Sequence, residues 1–182
     1  MSARVDVLHA GYARSDGVAS TVGLIRDGSR VIVVDPGMVA DRASILEPLD
    51  RLGVEPAQVT DVVISHHHPD HTVNIALFPP VRLHDHWAVY QGDQWTDRRA
   101  EGATISENVR LIETPGHTPQ DITTLVATAD GTVAFTHLWL FEGMEGDRRA
   151  TDLDQLLLQR ERVLELADLV VPGHGPPFEV TR

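Results

Sequence analysis

The chain has 182 residues, 42% of them hydrophobic, and no cysteine. That suits a single globular domain spanning 1–182 with a sizeable core, and it excludes disulfides, thiolate metal ligands and a cysteine nucleophile. With 15 basic and 27 acidic residues the formal net charge is −12, so the long-range field opposes a polyanion, although bound divalent cations could reverse the sign locally.

In chain order, residues 4–8, 19–26 and 30–35 read as strands, the last two joined by the hairpin signal Asp27-Gly28-Ser29. Residues 40–52 place Ile45, Leu49 and Leu52 at helical spacing, and Gly53 stops the helix. A short buried strand over 61–65 leads into a histidine-rich loop, and a helix is expected over 70–77, ended by Pro79-Pro80. Residues 81–84 form another short strand. The polar, weakly periodic stretch 91–108 reads as a surface loop or short helices, placed to act as a lid. A second strand block follows at 110–113, 122–128 and 132–136, with Asp130-Gly131 marking its hairpin. Leu153, Leu156, Leu157, Leu164 and Ala167 then define an amphipathic helix over 153–167 with Thr151 or Asp152 as its cap, and a strand over 169–171 closes the sheet. Two blocks of strands, each followed by a helix, suggest a duplicated architecture without sequence repeats.

The most informative segment is His66-His67-His68-Pro69-Asp70-His71, directly after the apolar Val62-Val63-Ile64. A strand ending in a tight loop turns alternate side chains to one spot, so His66 and His68 face together while Asp70 and His71 enter from a following helix. That geometry suits two metals better than one. Imidazole and carboxylate together favour zinc, with iron or manganese also compatible. Partners lie downstream: His117 in Thr114-Pro115-Gly116-His117-Thr118 and His174 in Val171-Pro172-Gly173-His174-Gly175, each after an apolar run that proline and glycine terminate. Three separate strand ends therefore offer histidine. His84, His86 and His9 are expected to be structural, His67 to face solvent or to support the ligands, and Trp87, Tyr90, Trp95 and Trp139 to pack or to line a pocket wall.

These motifs, with the strand end Val33-Val34-Asp35-Pro36-Gly37, resemble the metallo-β-lactamase-fold hydrolases over residues 5–178. Leu77-Phe78-Pro79 and the run from Val170 to Phe178 are similar, more narrowly, to the subgroup of metallo-β-lactamase domain-containing protein 1. The resemblance implies an α/β fold, a four-layer αββα sandwich with metals in a shallow cleft along one edge. It implies His66, His68 and His117 at a first metal, Asp70, His71 and His174 at a second, and Asp35 behind them accepting hydrogen bonds. One position departs from the pattern. Where the family usually has Gly-Asp, with a carboxylate bridging both metals, this chain reads Phe135-Thr136-His137-Leu138-Trp139. A neutral imidazole binds one metal rather than two, so His137 is a candidate ligand and the number of ions, one or two, is left open.

The resulting expectation is a metal-dependent hydrolase, most naturally a zinc enzyme. Water is its nucleophile, Asp70 assists proton transfer, and the substrate is a small ester, thioester or lactone. A phosphodiesterase or nuclease is the alternative, disfavoured by the acidity. Others are a metal-binding protein without turnover and a mono-iron oxidoreductase. The region supplies no obvious lysine for a substrate carboxylate. The first residues lack a basic segment with an apolar core, and no stretch reaches the ~20 apolar residues of a membrane span, which sets a cytoplasmic protein without a membrane partner as the expectation.

Overall fold

Period-two alternation along the strands sorts the apolar side chains onto two faces of each sheet, and this sorting builds the layers. The computed structural model describes residues 2–79 and 81–181, so Pro80, the second residue of the expected helix stop, lies outside the described residues. The elements run β1 (Arg4–His9), β2 (Tyr12–Arg14), β3 (Gly17–Ala19), β4 (Val22–Asp27), β5 (Arg30–Val34), α1 (Ala43–Arg51), β6 (Asp61–Val63), α2 (Pro69–Thr72), β7 (Arg82–His84), β8 (Ala88–Gln91) and β9 (Gln94–Asp97). The second block contains β10 (Thr104–Ser106), β11 (Val109–Glu113), β12 (Ile122–Thr128), β13 (Gly131–Thr136), α3 (Leu153–Leu166), β14 (Leu169–Pro172) and β15 (Phe178–Glu179). One sheet has the order β1-β4-β5-β6-β7-β8-β9, the other β10-β11-β12-β13-β14-β15, and β2-β3 is a separate hairpin.

Ile25, Ile32, Val34 and Val63 of the first sheet meet Leu111, Val126, Phe135 and Val171 of the second in the central core. Their neighbours Leu24, Val33 and Val62 face the other way and pack on Ile45 and Leu49 of α1. Ile112, Leu125, Ala134 and Val170 likewise pack on Leu156 and Val163 of α3. Helix, sheet, sheet and helix are thus stacked as the expected αββα sandwich. Asp152 caps α3, its side chain accepting from the Gln155 N–H at 3.0 Å.

Parallel pairing is what gathers the strand ends. β5, β6 and β7 run parallel, as do β13 and β14, while β11 is antiparallel to β12 and β12 to β13. The chain therefore leaves β5, β6, β11, β13 and β14 along one edge, the usual place for a site in such sheets. Two backbone hydrogen bonds tie the two edges together: Ile122 N–H to the Ser65 carbonyl at 2.9 Å and Thr21 N–H to the Gly173 carbonyl at 2.7 Å.

Four expectations change. The helix over 70–77 is split into α2 and a 3₁₀ turn at Ile75–Leu77, because Asn74 turns back to the preceding loop. Its N–H donates to Pro36 O and its Nδ2 to Gly37 O. The stretch 91–108 is no lid. Gly92, with φ +63°, turns β8 into β9 at the edge of one sheet, Tyr90 opposes Trp95 across the hairpin, and β10 joins the edge of the other sheet. Ala19, expected to start the strand over 19–26, instead ends the β2–β3 hairpin, and the following strand starts at Val22. β15 adds an edge strand after β14.

Gly37 presses against the α2 backbone so closely that a Cβ there would collide with the Asp70 carbonyl. Gly37→Ala is therefore expected to lower the unfolding free energy by about 1–3 kcal/mol, as overpacking does, read from urea unfolding midpoints at unchanged slope.

Candidate metal centre

The carboxyl-end edge brings six histidines and one aspartate together. His66 Nε2 lies 2.9 Å from His68 Nδ1, which lies 3.1 Å from His117 Nε2. Beside them, Asp70 Oδ2 is 3.5 Å from His174 Nε2 and 3.7 Å from His71 Nε2. His137 sits between the two sets, its Nε2 3.1 Å from His174 Nε2. Nitrogens of His66, His117 and His137 lie within 4.8 Å of one another, as do those of His71, His137 and His174. All of these imidazoles are buried except that of His68, which with the half-buried Asp70 opens onto solvent.

The opposite ring nitrogens have acceptors, and these assign the tautomers. His117 Nδ1 is 2.6 Å from Asp147 Oδ2, His71 Nδ1 is 2.9 Å from Asp35 Oδ2, and His174 Nδ1 is 2.8 Å from the Ala19 carbonyl. His66 Nδ1 is 3.0 Å from Ser65 Oγ, whose own proton goes to Asp35 Oδ2 at 2.7 Å. Each Nδ1 therefore holds a proton, and the Nε2 atoms of His66, His71, His117 and His174 are bare lone pairs pointing inward. His71 Nε2 and His137 Nδ1 are buried without a hydrogen-bond partner. Converging, unsatisfied lone pairs of this kind are what a divalent cation neutralises, and the nitrogen-rich donor set matches borderline ions.

Electrostatics agree with that arrangement. Burial, reinforced by the neighbouring imidazoles, holds His66 and His137 well below the ordinary histidine range, so both are neutral and able to bind a cation. Burial also lowers His117, against the pull of Asp147, and His174, where His71 adds to the effect. Asp121 lies 3.9 Å from His66 Nδ1, yet burial pushes its carboxyl up to about 7 despite two bonds from Thr118. That separation exceeds a hydrogen bond, so the Ser65 hydroxyl, not Asp121, orients the His66 ring.

Asp35 shows how the chain places the loop. It is the one non-glycine residue with positive φ, +49°, among the described residues, and it accepts from Ser65 N at 2.6 Å as well as from Ser65 Oγ and His71. Three hydrogen bonds hold a backbone conformation that costs roughly 1–2 kcal/mol by itself. Gly173 is equally constrained, since a Cβ there would strike the His137 ring.

The other histidines lie outside the cluster. His67 Nε2 is 3.0 Å from Asp85 Oδ2 and its ring leans on Trp87, while the buried His84 pairs with Asp61 at 2.8 Å. Trp139 packs against Phe178 and under the Arg160 guanidinium, a packing role. Sequence reasoning missed Ser65, Asp121, Asp147 and the Ala19 carbonyl. Only Asp121 had a local signal, the turn Thr118-Pro119-Gln120-Asp121, whereas Asp147 is thirty positions from His117.

The histidines floor a cleft of about 540 Å³. A larger one, about 1040 Å³, opens at the opposite end, between β1 and the starts of β13 and β14, and has no histidine in its walls. The smaller cleft is bordered by the β2–β3 hairpin and includes Arg14 and Arg149, so the cations facing it are arginines where the sequence offered no lysine.

A family profile described as the metallo-beta-lactamase superfamily matches residues 15–177. Metallo-beta-lactamase domain-containing protein 1 of Xenopus laevis is 34% identical over 98% of this chain and 82% of its own length. The Homo sapiens protein of the same name is 38% identical over 83% of this chain, which spans 60% of that protein. A hydroxyacylglutathione hydrolase of Albidiferax ferrireducens is 31% identical over 60% of this chain and 43% of itself. Among solved structures, a Thermotoga maritima protein described as a metallo-beta-lactamase superposes with TM-score 0.78 at 21% identity, covering 98% of this chain and all of the other. A quorum-quenching N-acyl homoserine lactone lactonase superposes at 0.67 and 17% identity, covering 95% and 91%.

The lowered histidines make the metal-free protein acid-sensitive. Their unfolded pKa is near 6.5 and their folded values lie below it, so the unfolded state takes up protons first. Stability is fully present above that pH and is lost as pH falls through and below it. Asp121 acts in the opposite sense with a single group. Urea midpoints of chelator-treated protein should accordingly fall between about pH 7.5 and about pH 5.5.

Proposed function

The chain belongs to the metallo-β-lactamase superfamily, and from that premise we propose that it is a zinc-dependent hydrolase of a small ester, thioester or lactone. One observation carries the reading: the Nε2 lone pairs of His66, His71, His117 and His174, together with Asp70 and the Nδ1 of His68, converge in two adjoining sets while the outer nitrogens of those four histidines are held by oxygens. His66, His68 and His117 would hold one ion and Asp70, His71 and His174 another. His137 supplies a nitrogen within reach of both sets. Bound zinc supplies water that ionises near neutral pH, with a pKa of about 7, and an electrophile for the scissile carbonyl.

The protein's own groups do the rest. Asp147 and Asp35 keep the Nδ1 protons on His117 and His71 and make those rings better donors. Ser65 and the Ala19 carbonyl do the same for His66 and His174. Asp70, only half buried, faces the cleft and is the group able to carry a proton from attacking water toward the leaving group. A cleft of about 540 Å³ fits a small molecule. N-acyl homoserine lactone and hydroxyacylglutathione are what the names of two similar proteins say they act on, and both are acyl compounds.

Elemental analysis of protein grown with zinc should return between one and two equivalents, and a panel of small esters, thioesters, lactones and phosphodiesters should show turnover of the acyl compounds. Less than half an equivalent of any transition metal, or turnover of the phosphodiesters alone, would overturn the proposal. His66→Ala should remove at least one equivalent. His137→Ala should lower the stoichiometry if its nitrogen is a ligand, whereas an unchanged value makes it a packing residue. Asp147→Ala keeps all the ligands and should weaken zinc binding about 10–100-fold in chelator competition.

A further inference from the structure

The walls of the cleft reverse the charge balance of the chain. Twenty-seven acidic residues outnumber 15 basic ones overall, yet the cleft contains two arginines, Arg14 and Arg149, and a single carboxylate, Asp70, which the proposed metal would engage. The arginines come from opposite ends of the sequence. Arg14 ends β2, where its guanidinium sits 4.4 Å over the Tyr12 ring and is held by that cation–π contact. Arg149 precedes α3, and its backbone N–H donates to Asp147 Oδ1 at 2.8 Å, on the same carboxylate whose Oδ2 holds His117. The position of Arg149 is thereby coupled to a proposed metal ligand.

Neither guanidinium is in an ion pair among the described residues, whereas Arg26, Arg30, Arg82 and Arg162 each pair with an acid. The same cleft is lined by the apolar side chains of Ala13, Val18 and Leu140. Guanidinium groups match the planar fork of an oxyanion. We propose that the substrate of this cleft carries an oxyanion, a carboxylate or a phosphate, on a short apolar chain, received by Arg149 and Arg14 while the hydrolysable bond lies over the histidines. This assignment rests on the hydrolase reading above and narrows its substrate class.

Three thioesters matched in length and ending in methyl, carboxylate or phosphate separate the possibilities in the zinc-loaded full chain. At least one charged thioester should exceed the methyl one in kcat/KM by about tenfold or more, and which of the two wins identifies the oxyanion. Arg149→Gln should cut that ratio about tenfold, chiefly through KM, Arg149→Lys should restore part of it, and Arg148→Gln should leave it intact. Calorimetry with the corresponding non-hydrolysable amides provides an equilibrium readout: binding of the charged amide should be the tighter, should weaken with salt and should weaken in Arg149→Gln. Equal kcat/KM for methyl and charged thioesters, or a preference that survives in the Arg14→Gln/Arg149→Gln double variant, overturns the assignment and leaves the hydrolase reading standing. If neither these thioesters nor the esters and lactones of the panel above are cleaved although zinc is bound, it is the hydrolase reading that fails, and equal affinity of the charged and neutral amides in the unmodified chain overturns this assignment whether or not turnover is seen.

Discussion

Imidazoles whose outer nitrogens are committed to oxygen acceptors have no freedom in what they present inward. Four of the six clustered histidines are in that position, and their bare Nε2 atoms face one another in a buried site. Opposed lone pairs repel one another in the absence of a cation, so their approach has to be imposed by the surrounding fold. Everything else in the architecture serves that imposition: parallel strands that end on one edge, loops hydrogen-bonded from sheet to sheet, and glycines where the backbone or a ring comes close.

The acceptors are drawn from widely separated places in the chain. Ala19 belongs to the β2–β3 hairpin, Asp35 follows β5, Ser65 follows β6 and Asp147 lies between β13 and α3. Asp35 links two of these segments, holding Ser65 with one oxygen and both Ser65 Oγ and His71 with the other. Its positive φ is the local cost of reaching both. The network thus joins two neighbouring strand ends of the first sheet, the separate β2–β3 hairpin and the segment between β13 and α3.

That dispersion explains what could be read from the residues. Elements with a strong period and clear punctuation were legible: Asp27-Gly28 and Asp130-Gly131 make the hairpins β4–β5 and β12–β13, and the leucines of α3 meet the second sheet. Five of the six histidines and Asp70 were legible as candidates because each follows an apolar run closed by proline, glycine or the histidine loop itself, whereas His137 was legible only as the residue standing where the resembled family has Gly-Asp. Short strands without such signals were not. β2 and β3 have three residues each and pair only with one another, and β9 is exposed along its whole length, so neither carries an alternating pattern. Asp147 and Ser65 escaped for another reason. Their roles depend on a partner far away in sequence or on a backbone bend, and nothing in the local pattern records either.

The imidazole at position 137 raises a question of charge. A bridging carboxylate would place a negative charge between the two ligand sets, and His137, held neutral by burial, places none there. Compensation for bound divalent cations must then come from Asp70 directly and from carboxylates one ring further out, Asp147 through His117 and Asp35 through His71. Those outer charges act through imidazoles rather than by direct ligation, so the cleft floor stays more positive than a carboxylate-bridged one. Arg14 and Arg149 add to the same sign at the rim. In a chain with a formal net charge of −12, ions held there would make the cleft a local exception in sign, so that long-range repulsion of large polyanions would coexist with the proposed reception of a small anionic substrate.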